Sequence, residues 1–162
     1  TRYFNFEGDF MSVEQTLILV KPDGVQRGLT GEIINRLEKR GLQIVGAKLI
    51  HPTRAIAEEH YQEHVGKPFY EGLIEFITSG PVLAMVIQAE RAIAISRQTM
   101  GSTDPAEAAP GTIRGDLGLT VGRNLVHGSD SAKRGAEEIK IWFDESEIIN
   151  FEQTMQPWII ES

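Results

Sequence analysis

Along the chain, short apolar runs alternate with stretches whose apolar residues recur every three or four positions, the mark of strands interleaved with amphipathic helices. Thr16 to Val20 (T-L-I-L-V) is a short apolar strand, ended by the turn sequence Lys21-Pro22-Asp23-Gly24. Thr30 is placed to cap a helix running through Arg40, with Ile33, Ile34 and Leu37 on one face and Gly41 as its stop. Leu42 to Ile50 reads as a second strand. Helices follow over Thr53 to His64 and Pro68 to Thr78, with Pro68 suited to a first helical position. Ser79-Gly80-Pro81 breaks the chain before a third strand, Val82 to Ala89, and another helix covers Arg91 to Met100.

Gly101 to Gly115 is rich in Gly, Pro, Ala and Asp, and connections of that length are usually functional or disordered. Leu125 to His127 is a short fourth strand, Ser131 to Phe143 a last helix, and an irregular tail ends in Trp158-Ile159-Ile160. Residues 1–10 do not fit this pattern. Met11 reads as the native start, with the preceding residues a vector-derived remnant or an N-terminal extension, and residues 11–162 form one domain without repeat or linker. With the extra helices taken as insertions, the order is strand–helix–strand–strand–helix–strand. That order predicts a ferredoxin-like α/β (α+β) sandwich, a four-stranded antiparallel sheet with helices on its faces.

Composition narrows the function classes. No apolar run approaches the roughly 20 residues that span a bilayer, and the N-terminus lacks the basic-then-apolar order of a secretory signal. The absence of cysteine excludes disulfides, thiolate metal sites and a cysteine nucleophile, which makes the cytoplasm the expected compartment. A net charge of −7 disfavours a general nucleic-acid binder. It also means that any anionic ligand must be met by cations gathered locally.

The densest chemistry lies in Asn124-Leu125-Val126-His127-Gly128-Ser129-Asp130, a histidine at the end of a short strand followed by a glycine turn and two oxygen-bearing residues. Imidazole side chains are largely uncharged at physiological pH and can act as nucleophiles, and a glycine beside one leaves room for a large anion. The residues alone also fit a plainer reading, in which Ser129 or Asp130 caps the next helix and His127 is structural. Lys21, Arg97 and Arg114 are each ordinary surface charges taken singly. Together they supply what a triphosphate requires for neutralisation and bidentate grip. Phosphate loops, dinucleotide glycine motifs and protein-kinase signatures are all missing. His60 and His64 stand at metal-ligand spacing, but Tyr61 replaces the glutamate of the H-E-x-x-H motif, so a zinc site is not expected. His51 reads as structural.

Four segments carry a resemblance: Lys21 to Gly28 (K-P-D-G-V-Q-R-G), Lys67 to Tyr70 (K-P-F-Y), Gly111 to Asp116 (G-T-I-R-G-D) and Gly122 to Asp130 (G-R-N-L-V-H-G-S-D). They resemble the signatures of nucleoside diphosphate kinases, in that family's order and spacing, from about Thr16 to the C-terminus. The resemblance implies reversible ping-pong transfer of a γ-phosphate between nucleoside tri- and diphosphates, with low base specificity. His127 would be the phosphorylated nucleophile, with Ser129 and Glu138 orienting it and Tyr61 near the transferred phosphate. Lys21, Arg97, Arg114 and Thr103 would contact phosphates, Asn124 and Lys21 would reach the ribose, and Phe69 would lie against the base. Mg2+, held mainly by the nucleotide's own phosphates, is the implied cofactor, with no metal ligands from the protein. A homo-oligomer is implied, and the tail Pro157 to Ser162 resembles the hexameric type, with a tetramer as the alternative. Leu117 and Leu119 lie in a variable stretch, and residues 1–10 have no counterpart. A silent scaffold would lack the histidine or a gripping arginine, and both are present. A module passing phosphate from histidine to a partner protein would not need the full nucleotide set.

Overall fold

In the computed structural model, residues 2–4 and 10–161 are described. The central sheet is antiparallel throughout. Strand β2 (Phe10–Val20) pairs with β4 (Val82–Glu90) on one side and with β5 (Val126–Gly128) on the other, and β4 pairs with β3 (Gln43–Ile50). A short β1 (Arg2–Phe4) adds to the first residues of β2. Apart from β1, the order β3-β4-β2-β5 is the ferredoxin-like sandwich expected from the element order. Most of residues 1–10, read as a remnant or extension, lies outside the described residues.

Strand period decides where the core sits. Successive residues of β2 point to opposite faces. Leu17 and Leu19 therefore join Val45, Ile74, Ile139 and Trp142 on one face, covered by α3 (Arg54–His60), α4 (Tyr70–Ile77) and α7 (Ala132–Trp142). Ile18 and Val20 join Leu37, Met85, Met100 and Ile113 on the other, beneath α2 (Thr30–Lys39), α5 (Ala92–Met100) and α6 (Ile113–Leu117). Because both faces are covered there, the end of β2, Leu17 to Val20, reads as an unbroken apolar run rather than an alternating one.

Several local expectations are corrected. Lys21-Pro22-Asp23-Gly24 is not a simple turn but the start of α1 (Pro22–Gln26), since Pro22 at the first helical position has its φ preset for the helix. Thr30 is the first residue of α2 rather than its cap, a place taken by Leu29 without a side-chain bond. Pro68 lies before α4, whose N-cap is Phe69. The span Thr53 to His64 is two elements. Thr53 Oγ1 accepts from the Ile56 amide to cap α3, and a 3₁₀ turn, Gln62–His64, follows.

The Gly101 to Gly115 segment is ordered by its own caps. Asp104 opens a 3₁₀ turn, Pro105–Glu107, and Thr112 opens α6 by accepting from the Gly115 amide at 3.0 Å. At Gly115 a Cβ would stand 2.1 Å from the Ala109 carbonyl oxygen, so only glycine allows this fold of the loop. Helix α7 is capped by Ser131. Ser129 and Asp130 therefore have no capping task, which corrects the capping half of the plainer reading of their segment.

Leu19 is fully buried on the central strand. Leu19→Ala should destabilise the fold by about 2–5 kcal/mol in urea denaturation. A loss below about 1 kcal/mol would contradict a closed core on that face.

Candidate active site

His127 is the middle residue of β5, opposite Leu19 of β2. The strand is set by Leu125, which has φ of 72°, a left-handed conformation uncommon outside glycine. Two bonds hold it there: its amide donates to Asp23 Oδ2 at 3.0 Å and its carbonyl accepts from the Lys21 amide at 2.8 Å. Lys21-Pro22-Asp23 thus fixes the turn that delivers His127.

Behind the imidazole stands Glu138 of α7, 3% exposed. Its Oε2 lies 3.0 Å from His127 Nε2 and accepts from Ser129 Oγ at 2.6 Å, while Ser129 Oγ accepts in turn from the Leu17 amide. Burial alone would raise the Glu138 pKa, but the hydrogen bonds from His127 and Ser129 bring it down to about 2. An ionised carboxylate only accepts, so Nε2 is the nitrogen that donates to it, and in the uncharged imidazole the lone pair lies on Nδ1.

The cations converge on the same place. A cavity of about 220 Å³ is lined by Lys21, Tyr61, Arg97, Thr103, Arg114, Asn124, His127 and Glu138. Lys21 Nζ donates to Asn124 Oδ1, and Asn124 Nδ2 donates to the Thr103 carbonyl at 2.8 Å. Burial lowers the Lys21 pKa to about 8, with Asp23 opposing and Arg114 and Arg123 adding to the fall. Arg114 is pulled down to about 10, first by burial and then by Arg97. Three of its N–H groups serve the carbonyls of Asn124, Gly101 and Val126, so it braces the loop as well as charging it. Burial pushes the Tyr61 phenol up to about 12, helped by Glu138, which keeps it a neutral donor.

Two expected residues lie outside the cavity lining. Ser129 sits behind it, on Glu138. Phe69 is 53% exposed and joins the site through a chain of rings, with His64 at 5.6 Å and His64 stacked on Tyr61 at 6.1 Å. The His60/His64 spacing is not a metal pair, because α3 ends at His60. His60 is buried and its Nδ1 accepts from Trp142 Nε1 at 3.3 Å. Burial first, then His127, lowers its pKa to about 3. That bond puts the His60 proton on Nε2 and removes it as a metal ligand, although His60, His127 and Glu138 lie close together. His64 faces Lys67 Nζ at 2.9 Å. His51 Nε2 bonds the Thr78 carbonyl at 2.9 Å, a structural contact.

Four residues to which the sequence assigned no site role also belong here: Glu63 and Asp130 line the cavity, and Asp23 and Arg134 brace its walls. Asp23 was legible in principle as an acid beside a lysine at a strand end. Arg134 was visible only as a cation one helical turn before Glu138.

The model for "Nucleoside diphosphate kinase" matches residues 14–148. The chain belongs to the nucleoside diphosphate kinase family. It is 57% identical over 148 residues to a nucleoside diphosphate kinase from Thermomicrobium roseum, covering 91% of this chain and 99% of that protein. A counterpart from Carboxydothermus hydrogenoformans is also 57% identical, over 149 residues, covering 92% of this chain and 100% of the relative. Among solved structures, the halophilic nucleoside diphosphate kinase from Halobacterium salinarum in complex with CDP superposes with a TM-score of 0.89 at 49% identity, covering 93% of this chain and 100% of that one. A family protein from Babesia bovis gives 0.88 at 46% identity, covering 91% and 99%.

For a nucleoside diphosphate kinase, a buried lysine that sheds its proton early has a measurable consequence. Between about pH 8 and 10.5 the unfolded chain holds a proton at Lys21 that the folded chain has lost. The group's contribution to stability is therefore complete above 10.5 and is lost as pH falls through about 8. The stability of the wild type relative to Lys21→Met should rise with pH over this window, by up to about 1.4 kcal/mol per pH unit. A difference that stays flat in urea denaturation between pH 7.5 and 10 would contradict it.

Proposed function

We propose that this nucleoside diphosphate kinase works through Nδ1 of His127. The observation that carries this reading is the His127–Glu138 hydrogen bond, which leaves Nδ1 as the nitrogen with a free lone pair beside a cavity lined by Lys21, Arg97 and Arg114. In the forward half-reaction the Nδ1 lone pair forms a P–N bond to the γ-phosphorus. The bond from that phosphorus to the bridging oxygen breaks, and the nucleoside diphosphate leaves with the electron pair. The phosphorylated ring is cationic, and Glu138 balances it through Nε2–H. A second nucleoside diphosphate then attacks the same phosphorus, the P–N bond breaks and the imidazole returns unchanged.

Lys21, Arg97 and Arg114 neutralise the phosphates, with hydroxyls from Thr103 and Tyr61 beside them. Asn124 and Lys21, already bonded to each other, serve the ribose. Phe69 offers the base an exposed ring without reading its polar edge, which fits low base specificity. Both Glu138 oxygens already have protein donors, so Mg2+ would be held mainly by the nucleotide phosphates, with Glu63 and Asp130 the other carboxylates of the cavity lining. When bound, it offsets phosphate charge.

Residues 11–162 are assigned to the kinase domain and residues 1–10 to a remnant or extension. The tail leaves Trp158 84% exposed, with Met155 and Phe151 also exposed, and an apolar surface of that kind supports burial against further copies in a homo-hexamer. A cytoplasmic location accords with a nucleotide-interconverting enzyme, and no described helix is long and apolar enough to cross a membrane.

His127→Ala should lower phosphate transfer from ATP to GDP by at least about 10⁴-fold while leaving the melting temperature near that of the wild type. Retention of a tenth or more of the activity would overturn the assignment.

A further inference from the structure

Arg134 stands one helical turn before Glu138 on α7, a spacing that puts both side chains on one face. Its Nη2 donates to Glu138 Oε1 at 3.1 Å and to the backbone carbonyl of His60 at 3.3 Å. Its Nη1 donates to Glu137 at 3.2 Å, and its Nε lies 3.9 Å from Glu63 Oε2. His60 is the last residue of α3, where helix carbonyls lack partners within the helix. Tyr61 comes next, and Glu63 lines the cavity. One guanidinium thus joins α7, the end of α3 and the turn that follows it.

The two Glu138 oxygens have divided tasks. Oε2 takes His127 and Ser129, and Oε1 takes Arg134. Ser129 donates without net charge, whereas Arg134 brings a permanent cation to the carboxylate. Without it, Oε1 would be a buried, charged and unpaired oxygen. The carboxylate would then be held through Oε2 alone, less firmly about its soft last torsion, and the orientation of His127 would loosen with it.

We infer that Arg134 is a positioning residue for phosphoryl transfer, locking the Glu138 carboxylate against His127 and tying it to the segment that carries Tyr61. The inference rests on His127 being the nucleophile.

The test is a double-mutant cycle on single-turnover phosphorylation by Mg·ATP, using wild type, Arg134→Gln, Glu138→Gln and the double variant, with melting and ATP affinity measured on each. Arg134→Gln should slow phosphorylation about tenfold with ATP affinity unchanged, and should add less than about twofold once Glu138 is Gln. An equal loss in both backgrounds, or one confined to melting or ATP affinity, overturns the inference. If Arg134→Gln does not fold, Arg134→Lys is read the same way. It keeps the charge but not the forked donor set, and should be slowed a few-fold only where Glu138 is present. A wild type that takes no label from ATP would instead overturn the assignment of His127 itself.

Discussion

Glu138 is the group on which the rest of the site depends. It is a carboxylate inside the protein, and an isolated charge there would be untenable. It persists because three donors from separate places reach it: His127 on β5, Ser129 just beyond that strand, and Arg134 on its own helix. The same contacts that make the charge tolerable make the histidine useful. They hold the ring with Nε2 toward the carboxylate, and in the proposed reaction they would supply a counter-charge for the phosphorylated state. Stability and chemistry draw on one set of hydrogen bonds here.

A second constraint is charge. The chain carries a net charge of −7, yet its substrates are polyanions. The fold answers this by burying cations where strand ends, α5 and the Gly/Pro-rich segment meet. Lys21 and Arg114 both give up part of their basicity to be there, as their lowered pKa values record. Phosphate would restore what burial removes, so buried cations of this kind favour an anion. Asn124 is central to this packing, linking Lys21 to Thr103 through its amide and meeting Arg114 through its carbonyl.

The sheet and its order were legible because β2 and β4 announce themselves as apolar runs and the helices by their period. The site was legible through the segments around Lys21 and His127, whose residue types admit few other uses together. Elements read less well where capping decided the outcome. Pro22 starts a helix because it follows Lys21 in extended backbone, and Thr30 and Pro68 lose their expected places to Leu29 and Phe69. The order within Pro105 to Gly115 was hidden because it comes from side-chain caps and one close backbone approach rather than from periodicity. Arg134 and His60 were hidden for another reason. Their meaning lies in what α7 meets across space, in bonds to a distant carbonyl and to Trp142, which spacing along the chain does not reveal.

The proposed mechanism turns on a single atom: Nδ1 of His127 would accept the phosphoryl group because Glu138 occupies Nε2. Loading ¹⁵N-histidine-labelled protein with Mg·ATP and recording phosphorus–nitrogen coupling by NMR tests it directly. The account predicts one phosphorus, bonded to Nδ1 of His127 and discharged on adding GDP. Phosphorus on Nε2, on Ser129, or on a histidine other than His127 would contradict it.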